Sequence, residues 1–317
     1  MPETSLQPDA MGRPGAEGAT RPSTLALWWR VARPFSLTAS IAPILVGGAL
    51  AAYHGAFRPL LFAEMLLASI LIQAGTNMVN EYYDYVKGLD TPESLGIGGV
   101  IVHGYLPARS VLRAGLLLFA VATAIGLHIA WQAGWVIFAV GLVCIAAAYV
   151  YTGGPWPVAY TPFGELEVFI FMGLVMVGLG YAVHTGTLTA AVVAAALPVS
   201  CIVAAILLAN NIRDREEDGA KGRRTLAVLY GKPFAVGLYR ALLVTAYAAL
   251  PAAVVLDWLP WPALLPLLTI ADARAAIAIL TRQHEPRTLA PAVPLTARLH
   301  GRFGLLLAAG LALAALA

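Results

Sequence analysis

Residues 70–90 read ILIQAGTNMVNEYYDYVKGLD. An apolar run ends in two asparagines, a glutamate and two aspartates. The chain has 317 residues, of which 60% are hydrophobic and only 12% charged. A typical soluble domain carries about 25% charged residues. With a mean hydropathy of +0.77, the chain has more apolar surface than a soluble core of this length can bury. Apolar runs of about 20 residues recur along it, enough at 1.5 Å per residue to cross a hydrocarbon layer of about 30 Å. The runs are continuous rather than alternating, which argues against a β-barrel. The expected fold is all-α, a polytopic membrane protein.

Nine apolar segments lie near 35–53, 60–82, 109–130, 132–151, 164–184, 188–212, 233–254, 259–281 and 301–316. The first 24 residues are polar, rich in Pro and Gly, and lack the apolar core of a signal peptide. A disordered tail over 1–27 and one intramembrane domain over 28–317 are expected. Cys144 and Cys201 sit in apolar runs without metal or redox spacing and read as core residues.

Charge orients the chain. With nine helices and the N-terminus in the cytoplasm, 17 of the 20 Lys and Arg residues fall on the cytoplasmic side. They belong to the N-terminal tail and to the second, sixth and eighth connections, and the positive-inside rule favours that arrangement. The expected location is the cytoplasmic (inner) membrane, and the charge distribution places the N-terminus and the acidic loops on its cytoplasmic face.

The acids are just as uneven. Glu81, Asp84, Asp90 and Glu93 belong to the second connection, and Asp214, Glu216, Glu217 and Asp218 to the sixth. Gln73, Asn77, Asn80 and Asp84 are spaced by four, three and four, one stripe of a helix. In a membrane helix such a stripe should face protein or a water-filled cavity. Asn210, Asp214 and Asp218 repeat the pattern, followed by Lys221, Arg223 and Arg224. Mg²⁺ takes oxygen ligands and is commonly shared between carboxylates and substrate phosphates. Two facing aspartate clusters could hold Mg²⁺ ions bridging a diphosphate, with Lys and Arg neutralising the rest. A single acid at a helix end is more often merely solvated; two N-x-x-x-D units on one membrane face favour function.

These motifs resemble the UbiA superfamily of intramembrane aromatic prenyltransferases, and most nearly its 1,4-dihydroxy-2-naphthoate branch. The resemblance rests on ARPFSLTASIAPILVGGALA (32–51), NMVNEYYDYVKGLD (77–90), YTGGPWPVAYTPFGELEVF (151–169) and NNIRDREEDGAKGRRTLAVLYG (210–231). It implies a nine-helix bundle and transfer of a polyprenyl group from a polyprenyl diphosphate to dihydroxynaphthoate. Loss of CO₂ and diphosphate would give demethylmenaquinone, with Mg²⁺ as the cofactor. Asn80, Asp84 and Asp90, with Asn210, Asp214 and Asp218, take the family's metal–diphosphate positions, and Asp84 and Asp214 are the principal catalytic candidates.

This chain departs from the family pattern in three places: Glu81 stands where many relatives have Asp, and Gly99 where relatives usually carry Arg. The loop at Trp156–Val158 also lacks the basic residue often found there. Lys87, Arg213, Lys221 and Arg224 are the candidates to supply the missing diphosphate-side charge. Tyr151, Tyr160 and Glu165 are acceptor-side candidates. Tyr82 and Tyr83 could flank a carbocation, although packing is the commoner use of such rings.

The expected partners are a prenyl diphosphate, a small aromatic acceptor and the lipid bilayer, with no nucleic acid. Rival readings are another acceptor (4-hydroxybenzoate, homogentisate or a chlorin) and a transporter with acidic ion sites. Transporter sites usually lie at the midplane, whereas both motifs here sit at helix ends.

Overall fold

The computed structural model describes residues 22–91 and 99–317. Most of the predicted tail, and Glu93 of the first acidic stretch, lie outside the described residues. Among the described residues the chain is helical, without strands. Helix begins at Thr24, inside the span read as tail. There α1 (Thr24–Ala32) is capped by Ser23, whose Oγ accepts from the Ala26 amide. It buries Leu27 and Val31 and exposes Leu25 and Trp29, the two-sided pattern of an amphipathic helix.

Nine long helical segments follow among the described residues. They are α2 (Thr38–Tyr53), α3 (Pro59–Val86), α4 (Ala108–Ala133), α5 (Trp135–Val150) and α6 (Gly164–Thr185), then α7 (Ala190–Ala220), α8 (Leu226–Val255), α9 (Trp261–Arg282) and α10 (Ala292–Ala315). Seven membrane-length spans are long and apolar enough to cross a bilayer, the first of them joining α1 to α2. The remaining two are α5, with 16 residues, and α10, whose first half carries Arg298, His300 and Arg302.

The expected segments and the helices agree in number and order, and differ at their ends. Helix α3 runs to Val86 and α7 to Ala220, beyond where the apolar runs stop. Both acidic stretches are thus mainly helix rather than loop, because a helix continues into polar sequence when its polar side chains find partners. Helix α10 starts nine residues before the expected 301, and α8 starts at Leu226 with a break at Gly231 (φ 78°, ψ 169°). Only glycine takes that conformation without strain.

Lipid tails are as apolar as Leu, so packing between membrane helices depends on close fit and small residues. Helix α7 lies at the centre, lined with Ala191, Ala194, Ala195, Ala204, Ala205 and Ala209. A Cβ on Gly47 of α2 would stand 2.5 Å from the Val177 carbonyl oxygen of α6. In α6, residues Phe169–Val175 form a π-helical turn. Gly173 there lies so close to Ser200 of α7 that no side chain fits. Helix α5 buries none of its residues and forms a wall one helix thick.

Gly47→Ala forces backbone to move and is expected to cost about 1–3 kcal/mol, read as a lower midpoint of thermal unfolding in detergent. Gly237→Ala, where the new methyl meets nothing within 4 Å, is the control. Equal midpoints for the two variants would refute the packing account.

Candidate active site

Helices α3 and α7 bring their polar ends to the same cavity. Asn80, Asp84 and Asp90 line it from one side, and Asn210, Asp214 and Asp218 from the other. The cavity has a volume of about 460 Å³. Away from the acids it is apolar, walled by Met65, Ile72, Phe138, Leu142, Met172 and Leu179. Cys144, read as a core residue, also faces it, whereas Cys201 is buried.

The first motif is shaped by its turn. Helix α3 ends at Val86 with Lys87 as its cap, and Gly88 at φ 67° reverses the chain. The Leu89 and Asp90 amides then both donate to the Asp84 carbonyl, at 2.8 and 3.3 Å. Asp90 is thereby folded back beside Asp84. Its carboxyl is pushed up to about 6, mainly by burial and then by the charges of Asp84 and Glu81.

The stripe expected on α3 is present, and its members divide the work. Asn77 Nδ2 donates to the Ala32 carbonyl and to Ser36 Oγ, both at 2.8 Å, tying down the junction between α1 and α2. Asn80 Oδ1 accepts from Thr152 Oγ1 at 2.5 Å. Asp84 Oδ1 accepts from Tyr160 Oη at 3.0 Å and from Arg223 Nη2 at 3.2 Å.

Arg223 is the residue that sequence reasoning passed over in favour of its neighbour. Its Nη1 also donates to Asp218 Oδ1 at 3.1 Å, so one guanidinium bridges the two motifs. The guanidinium carbon lies 4.6 Å from the centre of the Tyr160 ring. Arg224, the expected cation, is exposed and not part of the cavity lining; its backbone amide donates to the Tyr160 carbonyl at 2.8 Å. The two arginines are adjacent and chemically identical, and only the turn after α7 decides which one faces inward.

The other candidates separate by position. Arg213 lines the cavity and chelates Asp214 through Nε and Nη2, at 2.6 and 2.5 Å, while Nη2 also donates to Asn210 Oδ1. Lys221 donates to Glu217 and to the Leu89 carbonyl, joining the second motif to the first. Lys87 lies outside the lining and donates to the Thr152 carbonyl at 2.9 Å, under the ring of Tyr160. Tyr151 lines the cavity. Tyr160 reaches it only through Asp84 and Arg223, and its hydroxyl is raised by burial and by the Asp84 charge. Glu165 is buried and accepts from Asn211 Nδ2 at 2.9 Å. Tyr83 bonds Tyr149 instead of facing the cavity.

Two of the three departures from the family pattern acquire a physical reason. Gly99 has φ 87°, and a Cβ there would stand 3.1 Å from His103 Nδ1, so an arginine would be strained. Glu81, only 1% exposed, accepts from the Val100 amide at 2.8 Å and from Arg33 Nη2 at 3.0 Å. It clamps the segment after the first motif to the end of α1, and does not line the cavity.

Among the described residues, no three His, Cys, Asp or Glu side chains converge as a ready-made metal site. The oxygens are split between two walls, with guanidinium groups between them. Mg²⁺ keeps several waters and needs only one or two carboxylates besides substrate phosphate, so two separate acidic sets suit it. Asp218 Oδ2 is buried with no partner, a lone acceptor of the required kind.

Residues 40–301 match the model of the UbiA prenyltransferase family. The chain belongs to that family. It is 38% identical over 299 residues to the 1,4-dihydroxy-2-naphthoate octaprenyltransferase of Bacillus subtilis, covering 93% of this chain and 96% of that protein. The fold is similar to that of a UbiA homolog from Aeropyrum pernix K1, with TM-score 0.66 and 20% identity over 86% of this chain and 96% of the other. It is also similar to a UbiA homolog from Archaeoglobus fulgidus bound to DMAPP and Mg²⁺, with TM-score 0.61 and 17% identity over 88% and 98% of the two chains.

Glu81→Gln keeps the shape of the clamp and removes its charge. It is expected to lose about 1–3 kcal/mol and to speed hydrogen exchange at the Val100 amide. Exchange there that stays unchanged also in Glu81→Leu, which removes both acceptor oxygens, would rule out the clamp.

Proposed function

We propose that this UbiA-family prenyltransferase moves a polyprenyl group from its diphosphate to 1,4-dihydroxy-2-naphthoate. The observation that carries this reading is the meeting of two acidic motifs at the polar end of an otherwise apolar cavity. A long isoprenoid tail suits the apolar part and a diphosphate suits the charged end. The naphthoate acceptor is supported by the 38% identical relative, whose likeness runs through nearly the whole chain.

Asp84 and Asp90 on one side, and Asp214 and Asp218 on the other, would hold Mg²⁺, with Asn80 and Asn210 as uncharged oxygen donors. When bound, the metal neutralises charge growing on the leaving diphosphate. Arg223, Arg213 and Lys221 contact the remaining phosphate oxygens. They first have to leave their carboxylate partners, so the apo site is held together by the same charges that bind substrate.

The allylic C–O bond breaks and its electron pair leaves with diphosphate. The naphthalene carbon bearing the carboxylate forms the new C–C bond. Its C–CO₂⁻ bond then breaks, the electrons return to the ring, and CO₂ departs. The product is the quinol form of demethylmenaquinone. The apolar wall keeps water from the electron-poor prenyl carbon. Tyr151 lies along the cavity where an aromatic acceptor could sit. The motif face is read as cytoplasmic in the inner membrane, on the distribution of Lys and Arg.

The test supplies purified protein with Mg²⁺, a long-chain prenyl diphosphate and dihydroxynaphthoate, with 4-hydroxybenzoate and homogentisate in parallel. Prenylated naphthalenediol and CO₂ are expected, and Asp84→Asn and Asp214→Asn should each lower the rate by about 10²–10³. Product from another acceptor alone would overturn the naphthoate assignment.

The protonation of Asp90 adds a pH prediction. Burial pushes its carboxyl up to about 6, and it must be ionised to bind a cation. Affinity for Mn²⁺ alone, measured by electron paramagnetic resonance, should fall as pH drops through that value. A flat profile between pH values on either side would exclude Asp90 as a ligand.

A further inference from the structure

A second cavity lies outside the bundle, between α2 and α10. Its volume is about 340 Å³, and Ile41, Ala42, Leu45 and Leu305 form its apolar floor. Arg298 and Arg302 also line it, almost wholly through their carbon stems. The two arginines are four residues apart and share one helix face, and both are exposed.

Packing fixes their level. A Cβ on Gly301 would meet Thr38, the first residue of α2, at 3.4 Å, and one on Gly304 would meet Ala42 at 2.6 Å. Arg298 and Arg302 therefore flank the plane where α2 enters the membrane, just after the amphipathic α1. The groove continues from there along α2 to Leu45, two turns deeper. Cations thus sit at the interfacial end and apolar surface runs into the hydrocarbon.

The charge is only partly matched within the chain. Arg302 Nη1 donates to Asp272 Oδ2 of α9 at 2.5 Å. Arg298 makes no ion pair or hydrogen bond among the described residues. Arg298, Arg302 and Asp272 together leave one positive charge. That matches a phosphodiester, with one negative charge, better than a prenyl diphosphate with its several. Charged side chains facing lipid are costly unless they find a counter-charge, and basic pockets between membrane helices take anionic headgroups.

We propose that the α2–α10 groove binds one anionic phospholipid. Its phosphodiester lies between Arg298 and Arg302, and one acyl chain lies along Ile41, Ala42, Leu45 and Leu305. The site rests on no reading of the acidic cavity, so its failure leaves the proposed enzymatic function untouched.

The experiment is native mass spectrometry of the delipidated full chain in detergent, titrated with dioleoyl phosphatidylglycerol or dioleoyl phosphatidylcholine. One phosphatidylglycerol should bind ahead of phosphatidylcholine. Arg298→Gln, which breaks no internal contact, should weaken that first event by about fivefold. Arg302→Gln with Asp272→Asn, which leaves no unpaired acid, tests the second cation and should not strengthen binding. Leu45→Trp, which fills the groove and leaves both charges, should weaken both lipids. Equal affinity of the two lipids for the wild type would overturn the proposal, as would a phosphatidylglycerol preference that survives Arg298→Gln. Displacement of the bound phosphatidylglycerol by geranylgeranyl diphosphate in the wild type, one for one, would assign the groove to the prenyl diphosphate and overturn the phospholipid.

Discussion

Like charges facing each other across a low-dielectric cavity are the constraint on which this protein is built. Asp84 and Asp218 belong to different helices, and without a cation between them they would repel. Arg223 supplies that cation, bridging both at 3.1–3.2 Å. Much of the surrounding structure serves this contact. The Gly88 turn folds Asp90 back, Lys221 ties the second motif to Leu89, and Tyr160 stacks on the guanidinium while bonding Asp84. Removing a member of such a network leaves another charge uncompensated.

The acidic ends also explain why α3 and α7 outrun their apolar segments at the motif face. Each continues past the apolar run because its polar residues are bonded: Asp84 to Tyr160 and Arg223, Asp214 to Arg213, Asp218 to Arg223. Glu81 does the same for the segment after the motif. Function and helix length are here set by one group of side chains.

Much of this was legible in the sequence. Continuous apolar runs gave nine segments, and four-residue spacing put Asn80 with Asp84 and Asn210 with Asp214 and Asp218 on common faces. Those features depend on local periodicity. The choice of Arg223 over Arg224 was not legible, because it depends on the turn after α7 and on Tyr160, far away in sequence. Lys87 could not be told from a substrate-binding lysine without the Thr152 carbonyl that occupies it. The glycine at 99 read as a lost arginine; its backbone conformation reveals a position where an arginine would be strained. The true start of α10 was hidden for a similar reason, since Thr296 and His300 are polar yet buried among neighbouring helices.

Helix α5 contributes cavity wall on one side and faces the surroundings on the other, with none of its 16 residues buried. At about 24 Å it is shorter than the hydrocarbon layer around it. A bilayer compresses locally to meet a short helix, at a small cost per ångström. The inner shape of this enzyme is therefore partly a mechanical property of its solvent. A thicker or stiffer membrane therefore bears directly on a helix whose other face lines the cavity.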